Sequence, residues 1–326
     1  MNKINEKKIG IRLGILSGAA WGLDTVLMGV IMTMGLFLEN DLIIFLTPFV
    51  VAFLHDTFSA IWMFVYMGFK NQFLSVFKAL KTRSGKFVVI AAILGGPIGM
   101  TNYLLSLKYI GPAYTASISS VYPAVGAIFA YLLLKEKLKG KGWFGLSLSI
   151  LGIIILGYTP GGNSNTNYKL GFILALSCVL CWSLENVICA YGMKDDEVTP
   201  EVALNIRQMV SALTYGIIIL PIIKGHLLTT KVIFTTSSLF IMLTALIGTI
   251  SYVSLYKSIK KVGSTKSMAL NITYSLWAII FQVVLLGDRI TIKLIISSIL
   301  IFLGTVLVVK NQEESNIDNE LEKQYI

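Results

Sequence analysis

The sequence has few charged residues and few of the side chains that build soluble catalytic centres. Charged residues make up 13% of its 326 residues, whereas about a quarter is usual in soluble domains, and 55% are hydrophobic. It has 2 histidines and 3 cysteines, and neither His-Glu-x-x-His nor Gly-x-Ser-x-Gly occurs. These absences exclude a soluble globular domain and argue against an enzyme, and we expect no cofactor and no metal.

The three cysteines do not have the pattern of a disulfide framework. Cys178, Cys181 and Cys189 all lie in one apolar run, and an odd number inside one helix cannot pair completely. Cys178 and Cys181 have Cys-x-x-Cys spacing, but no second pair or nearby His completes a zinc site. We therefore interpret them as small residues that pack one helix against another.

Long apolar runs are the dominant feature of the chain. A helix needs roughly 20 apolar residues to cross a bilayer, and ten runs approach or exceed that length, of which the fifth is the shortest. The sequence therefore predicts an all-α membrane protein with ten transmembrane helices, at residues 13–35, 43–69, 87–107, 112–134, 143–158, 170–191, 200–222, 239–257, 265–286 and 293–309.

The net charge of +10 comes from lysines and arginines between these runs. With the N-terminus inside, twenty of them fall on inner segments and six on outer segments, as the positive-inside rule requires. We predict a multi-pass protein of a bacterial-type cytoplasmic membrane with both termini in the cytoplasm. The charge then sets topology in the lipid bilayer, and no nucleic-acid partner is expected. Arg207 is the one cation left inside a span.

The two halves of the chain are similar to each other. An offset of 152 residues aligns 96–156 with 248–308 without a gap, which places Tyr122 on Tyr274. Upstream, an offset of 161 places Trp21 on Trp182. Five spans per half is an odd number, so the second half must enter the membrane in the opposite orientation. Inverted repeats are chiefly a transporter design, with one substrate site between the halves.

The repeat also predicts the organisation of the chain. A Gly- and Asn-rich stretch with one Pro separates the halves and is typical of a linker. We predict a first five-helix repeat at residues 8–157, the linker at 158–168, a second five-helix repeat at 169–310 and a polar cytoplasmic tail at 311–326.

The pattern Trp-x-Leu-acid-x-Val occurs twice, at residues 21–26 and 182–187. Residues three apart share a helix face, so each copy puts a Trp ring beside a carboxylate, Asp24 or Glu185. An aromatic face attracts a diffuse positive charge, and a quaternary ammonium has no N–H to donate in a hydrogen bond. The two copies therefore predict a substrate site for an organic cation.

Three further charged or titratable residues lie inside the predicted spans: His55, Asp56 and Arg207. A charge at the centre of a membrane helix costs about 2.5–3.5 kcal/mol, so such residues are usually functional. The 152-residue offset places Arg207 opposite His55, and Asp56 or Glu185 can neutralise it. Two interpretations stay open: an internal ion pair that joins the halves, or a proton-relay or gating element.

Several aromatic residues lie where the repeats would bring them inward. Each tyrosine of this set either packs against other helices or contacts a ligand, since aromatic residues are enriched in membrane proteins for both reasons. We add Tyr252, Tyr274, Trp277 and the neutral Asn271 to the predicted substrate site; Tyr103, Tyr122 and Tyr256 belong to the same set.

The spans contain the motifs PFVVAFLHDTFS, GGPIGMTN, CWSLENV, ALNIRQM and ALNITYSLW. Together these motifs resemble the drug/metabolite transporter superfamily and its EamA-type members, and within them the LicB-type bacterial choline permeases. The resemblance implies two inverted five-span repeats. It also implies choline uptake through a cage of Trp21, Trp182, Tyr274 and Trp277, with Glu185 nearby as countercharge.

The functional hypothesis is a secondary transporter that imports choline or a related quaternary ammonium compound by alternating access. The alternative is an EamA-type exporter of amino acids, drugs or other metabolites. Of the two carboxylates, Asp24 is a second countercharge, or else one acid neutralises the substrate and the other carries a coupling proton. Proton and sodium both remain candidates for the coupling ion.

Overall fold

The computed structural model describes residues 3–133, 138–157, 166–192, 198–262 and 264–324, and none of these residues is in a β-strand. The helices of the described ranges are α1 Lys3–Ile31, α2 Asp41–Phe69, α3 Phe73–Ala79, α4 Arg83–Ile93, α5 Thr101–Ile110, α6 Pro112–Ser119, α7 Tyr122–Leu133, α8 Gly140–Gly157, α9 Thr166–Gly192, α10 Pro200–Thr214, α11 Leu220–Ile222, α12 His226–Ile233, α13 Thr236–Val262, α14 Ser264–Asn271, α15 Tyr274–Leu286 and α16 Ile292–Gln324.

Eight helical stretches of the described chain are long and apolar enough to cross a membrane. They are Glu6–Ile31, Asp41–Phe69, Arg83–Ile110, Pro112–Leu133, Asn167–Cys189, Pro200–Ile222, Thr236–Ser258 and Ile292–Asn311, and two shorter apolar helices lie at Gly140–Leu156 and Tyr274–Leu286. The predicted all-α membrane architecture is confirmed at this level, and each of the ten predicted runs falls mainly on helices.

The predicted tail is helical in the structure, and most of the predicted linker lies outside the described residues. Helix α16 continues to Gln324, so the segment predicted as a polar tail from residue 311 is helical over most of its length. Residues 158–165 of the predicted linker lie outside the described residues, and its last residues belong to the first turn of α9.

Local sequence explains where several helices begin. The Asn40 side chain accepts a hydrogen bond from the Ile43 N–H at the start of α2, and Thr199 caps α10 in the same way. Gly111 has φ 81° and precedes Pro112, so the chain stops α5 and starts α6 with one residue between them, because glycine adopts this backbone freely and proline suits a first helical turn.

A π-helical turn interrupts the third membrane stretch at Leu94–Met100, between α4 and α5. Its sequence contains Gly95, Gly96 and Pro97. Proline has no N–H and cannot continue a regular helical ladder, and such bulged turns are frequent at functional sites. A second π-helical turn, Tyr215–Ile219, lies between α10 and α11.

The helices of the two halves pack in corresponding pairs. Helix α1 packs against α13, and its counterpart α9 packs against α4 and α5. Helix α2 contacts α13, and its counterpart α10 contacts α4. Helix α2 also meets α10, and α8 runs along α16. Hydrogen bonds repeat at the 152-residue offset: Ser106 bonds Thr115 at 2.8 Å, and Ser258 bonds Ser267 at 2.8 Å.

Candidate functional site

A cavity of about 460 Å³ lies between helices of both halves, within the usual size range of small-molecule sites. The side chains that line it come from α1, α4, α7, α9, α10, α13, α14 and α15. Those important to the chemistry are Trp21, Tyr122, Trp182, Glu185, Arg207, Tyr252, Tyr256, Asn271 and Tyr274.

The cavity has an exposed end and a buried end. Asn186 and Pro200 line it and are both exposed. At the other end, Trp21 is 7%, Trp182 6% and Tyr274 1% exposed. A ligand that enters past Asn186 and Pro200 therefore meets the aromatic residues after it has left solvent.

Four rings, two tryptophans and two tyrosines, meet edge to face in the cavity wall. Trp21 lies 6.2 Å from Trp182 and 5.2 Å from Tyr252, measured between ring centroids. Tyr122 is 5.9 Å from Trp182 at an interplanar angle of 84°. Tyr103 packs on Trp182 at 5.0 Å but does not line the cavity. The rings thus form connected walls whose faces and edges are fixed by their mutual packing.

Hydrogen bonds hold the cavity residues in place. The Trp182 Nε1–H donates to the Gly95 carbonyl at 3.0 Å. The Tyr274 hydroxyl bonds Ser119 at 2.8 Å, and the Asn271 amide donates to Ser17 at 2.7 Å. Because each partner is on another helix, these orientations depend on the packed bundle as a whole.

The Glu185 carboxylate forms an ion pair with Arg207. The Arg207 Nε–H donates to Glu185 Oε1 at 2.6 Å, and both side chains are 12% exposed. The guanidinium also donates to the Gly95 carbonyl and to Gln208, each at 3.2 Å. Its Cζ lies 5.9 Å from the Tyr252 ring centroid, within cation–π range. The cavity therefore contains a neutral pair.

A second cluster of titratable groups lies beside the cavity without lining it. His55 Nε2 is 3.1 Å from Asp24 Oδ1, and His55 Nδ1 is 3.4 Å from Asp56 Oδ1. Ser211 donates to the other Asp56 oxygen. All three titratable residues are 1% exposed. An imidazole donates from both ring nitrogens only when it is protonated, so two flanking carboxylates suit an imidazolium.

The two clusters correspond through the internal repeat. The repeat pairs Asp24 with Glu185 and His55 with Arg207. Each cluster therefore contains one acid and one base from corresponding positions of the two halves. In both, the base also contacts the next residue in the chain, Asp56 or Gln208. One pair thus contains a titratable base and the other a base that stays charged.

Three glycines allow the π-helical turn to approach these groups. A Cβ at Gly95 would overlap the Glu185 carboxylate, one at Gly96 would lie 2.5 Å from Ser211 Oγ, and one at Gly99 would lie 2.9 Å from Trp182. The glycines of the motif GGPIG indicate a close approach of another helix, but the sequence does not show which helices pack against them. Sequence reasoning missed the Gly95 carbonyl and Ser211 for this reason.

The structure brings together most, but not all, of the predicted site residues. Trp21, Trp182, Glu185, Tyr252, Asn271 and Tyr274 line the cavity, and so does Arg207, which was predicted as a gating or coupling residue. Trp277 does not line it; that ring stacks on Phe281 at 6.0 Å. Asp24, His55 and Asp56 form the separate cluster. Within the described chain, no group of three or more His, Cys, Asp or Glu residues is arranged to hold a metal ion.

A family model matches residues 8–158 and 169–310, nearly the whole membrane region, and its description is EamA-like transporter family. The chain belongs to this family. EamA-like proteins are membrane transporters, so the predicted transporter class and multi-pass membrane location are confirmed at that level, and a non-enzymatic role is consistent with it.

Individual relatives agree with this assignment. Protein LicB of Haemophilus influenzae is 36% identical over 191 residues, which are 58% of this chain and only 63% of LicB. The predicted resemblance to EamA-type proteins and LicB is confirmed. An uncharacterized transporter of Clostridium kluyveri is 22% identical and aligns with 71% of this chain and 74% of its own length. YyaM of Bacillus subtilis, also an uncharacterized transporter, is 22% identical and aligns with 80% and 87%.

A solved crystal structure supports the fold of this EamA-like chain. The two superpose with a TM-score of 0.57 over 93% of this chain and 97% of the other, at 18% sequence identity. At this identity the similarity concerns the fold alone.

Proposed function

We propose that this EamA-like protein imports choline or a related quaternary ammonium compound across a bacterial cytoplasmic membrane by alternating access. The observation that carries the proposal is the aromatic cavity. Trp21, Tyr122, Trp182, Tyr252 and Tyr274 all line it, and desolvated aromatic faces attract an organic cation by about 2 kcal/mol or more. The resemblance to LicB-type choline permeases agrees with this chemistry.

Neutrality of the cavity also favours a cation that needs no hydrogen bond. The one carboxylate that lines the cavity among the described residues, Glu185, already accepts from Arg207. A primary amine would need acceptors to replace the water it loses, at a high cost in an apolar site. A trimethylammonium group has no N–H and loses no such bonds, so the aromatic walls favour it over a primary amine.

We further propose ten spans arranged as two inverted five-helix repeats. The eight long stretches and the two short apolar helices supply ten segments, and corresponding helices of the two halves make corresponding contacts. With both termini in the cytoplasm, the loops before α4, α10 and α14 are cytoplasmic. The exposed end of the cavity, near Pro200 and Met268, then opens inward, so this is the inward-facing state of an alternating-access cycle.

We assign the coupling ion to the buried cluster of Asp24, His55 and Asp56. A buried imidazole between two carboxylates can hold one proton on a site that the substrate does not touch. Asp24 Oδ2 has no hydrogen-bond partner among the described residues, so this oxygen can accept a proton without breaking an existing bond. A proton is therefore favoured over sodium.

Radiolabelled choline uptake into proteoliposomes tests the proposal. An inward proton gradient should drive accumulation of choline, and a sodium gradient alone should not. A thermal-stability screen provides a second criterion, since choline should raise the melting temperature of purified protein and amino acids should not. Stabilisation by amino acids, with outward flux and no choline binding, would favour the exporter alternative.

A further inference from the structure

The ion pair of Glu185 and Arg207 occupies the groups that a cationic substrate would use. The guanidinium bonds the cavity carboxylate at 2.6 Å and lies 5.9 Å from the Tyr252 ring. A carboxylate and an aromatic face are also the two recognition elements for an organic cation. We propose that Arg207 takes the place of the substrate cation when the cavity is empty, and that bound substrate displaces it. This inference rests on the proposed function.

The surroundings of Arg207 give the displaced side chain other partners. Its guanidinium already donates to the Gly95 carbonyl and to Gln208, and neither bond needs Glu185. Arginine keeps its charge in proteins and has five N–H donors, so it can leave one acceptor and keep the others. Substrate binding then exchanges one cation for another at Glu185, and the displaced guanidinium stays charged beside the Gly95 carbonyl and Gln208.

This exchange explains how an empty carrier can return without a substrate. A lone carboxylate inside the membrane is strongly unfavourable, and an empty cavity with Glu185 unpaired would bind inorganic cations or stall. With Arg207 on Glu185, the empty cavity is electrically neutral and its halves can reorient. Arg207 would therefore determine affinity and permit net transport, while it would not be needed for exchange of one choline for another.

The proposal makes the two charge-removing substitutions act in opposite directions. In Arg207→Gln, Glu185 loses its internal competitor, so the dissociation constant for choline should fall by about tenfold, as expected for removal of a nearby competing charge. In Glu185→Gln, an unpaired guanidinium remains in the cavity and choline binding should be lost. The double variant Glu185→Gln/Arg207→Gln should bind weakly, through the aromatic walls alone.

Transport separates the inference from a merely structural ion pair. Arg207→Gln should keep choline–choline exchange in proteoliposomes but lose net uptake. Arg207→Lys keeps the charge but not the forked donors of the guanidinium, so it should restore part of the net uptake that Arg207→Gln loses. Weaker choline binding in Arg207→Gln than in wild type, or net uptake at the wild-type rate, would overturn the proposal.

A structure of the wild-type protein with choline provides a measurement that needs no variant to fold. The Arg207 Nε to Glu185 Oε1 distance should increase beyond 4 Å, whereas an unchanged ion pair beside bound choline would contradict the exchange. If wild-type protein binds no choline, the proposed function fails. If wild type binds choline and Arg207 stays in place, only this inference fails.

Discussion

In the two copies of Trp-x-Leu-acid-x-Val, the tryptophans have the same environment and the carboxylates do not. Trp21 and Trp182 both line the cavity. Asp24 is 1% exposed and contacts His55 from α2, whereas Glu185 lines the cavity and binds Arg207 from α10. Each half contains an acid–base pair, and the base is histidine in one pair and arginine in the other. Under the proposed function, the first pair carries the coupling proton and the second recognises the cation.

The largest effect that this comparison predicts is the loss of choline binding in Glu185→Gln. Removing one member of a buried ion pair costs about 3–5 kcal/mol, because the other charge is left uncompensated. We expect choline affinity to fall by at least about 100-fold, measured by isothermal titration calorimetry. Glu39→Gln, at an exposed position, is the matched control and should bind like wild type. Equal affinities for both variants would remove Glu185 from the site.

The tryptophans offer a second test, with a smaller expected effect. Trp21→Leu and Trp182→Leu each remove a ring from the cavity wall, at about 2 kcal/mol, so the dissociation constant of choline should rise roughly 30-fold. Trp277→Leu is the control, because its ring lies outside the cavity and stacks on Phe281. The same loss in Trp277→Leu would contradict the placement of the cage.

Sequence predicted the helices better than it predicted the partners of individual side chains. Apolar length located the membrane stretches, and the repeat related His55 to Arg207, because both signals are written along the chain. The face of a helix that carries Trp277 depends on how α15 packs beside α1, and the sequence pattern did not determine that contact. Asp24 was predicted near the substrate from its spacing to Trp21, but its partner His55 comes from another helix and holds it in the second cluster.

The π-helical turn provides the smallest predicted effect. Gly95→Ala would place a methyl group where the Glu185 carboxylate lies, so the pair with Arg207 must shift. We expect choline affinity to fall about tenfold and the melting temperature to decrease by several degrees, as for other overpacked sites. Gly68→Ala is the control, since its Cβ would meet no atom within 4 Å. Similar losses at both glycines would indicate a general helix effect.

The division between the two acid–base pairs is tested most directly by Asp24→Asn. The measurement is choline binding by calorimetry together with choline-induced proton movement into proteoliposomes that contain a pH-sensitive dye. Our account predicts that Asp24→Asn binds choline within about threefold of wild type but moves no protons, because the cluster around His55 loses an acid without changing the cavity. Choline-induced proton movement at the wild-type rate in Asp24→Asn, or loss of choline binding, would contradict it.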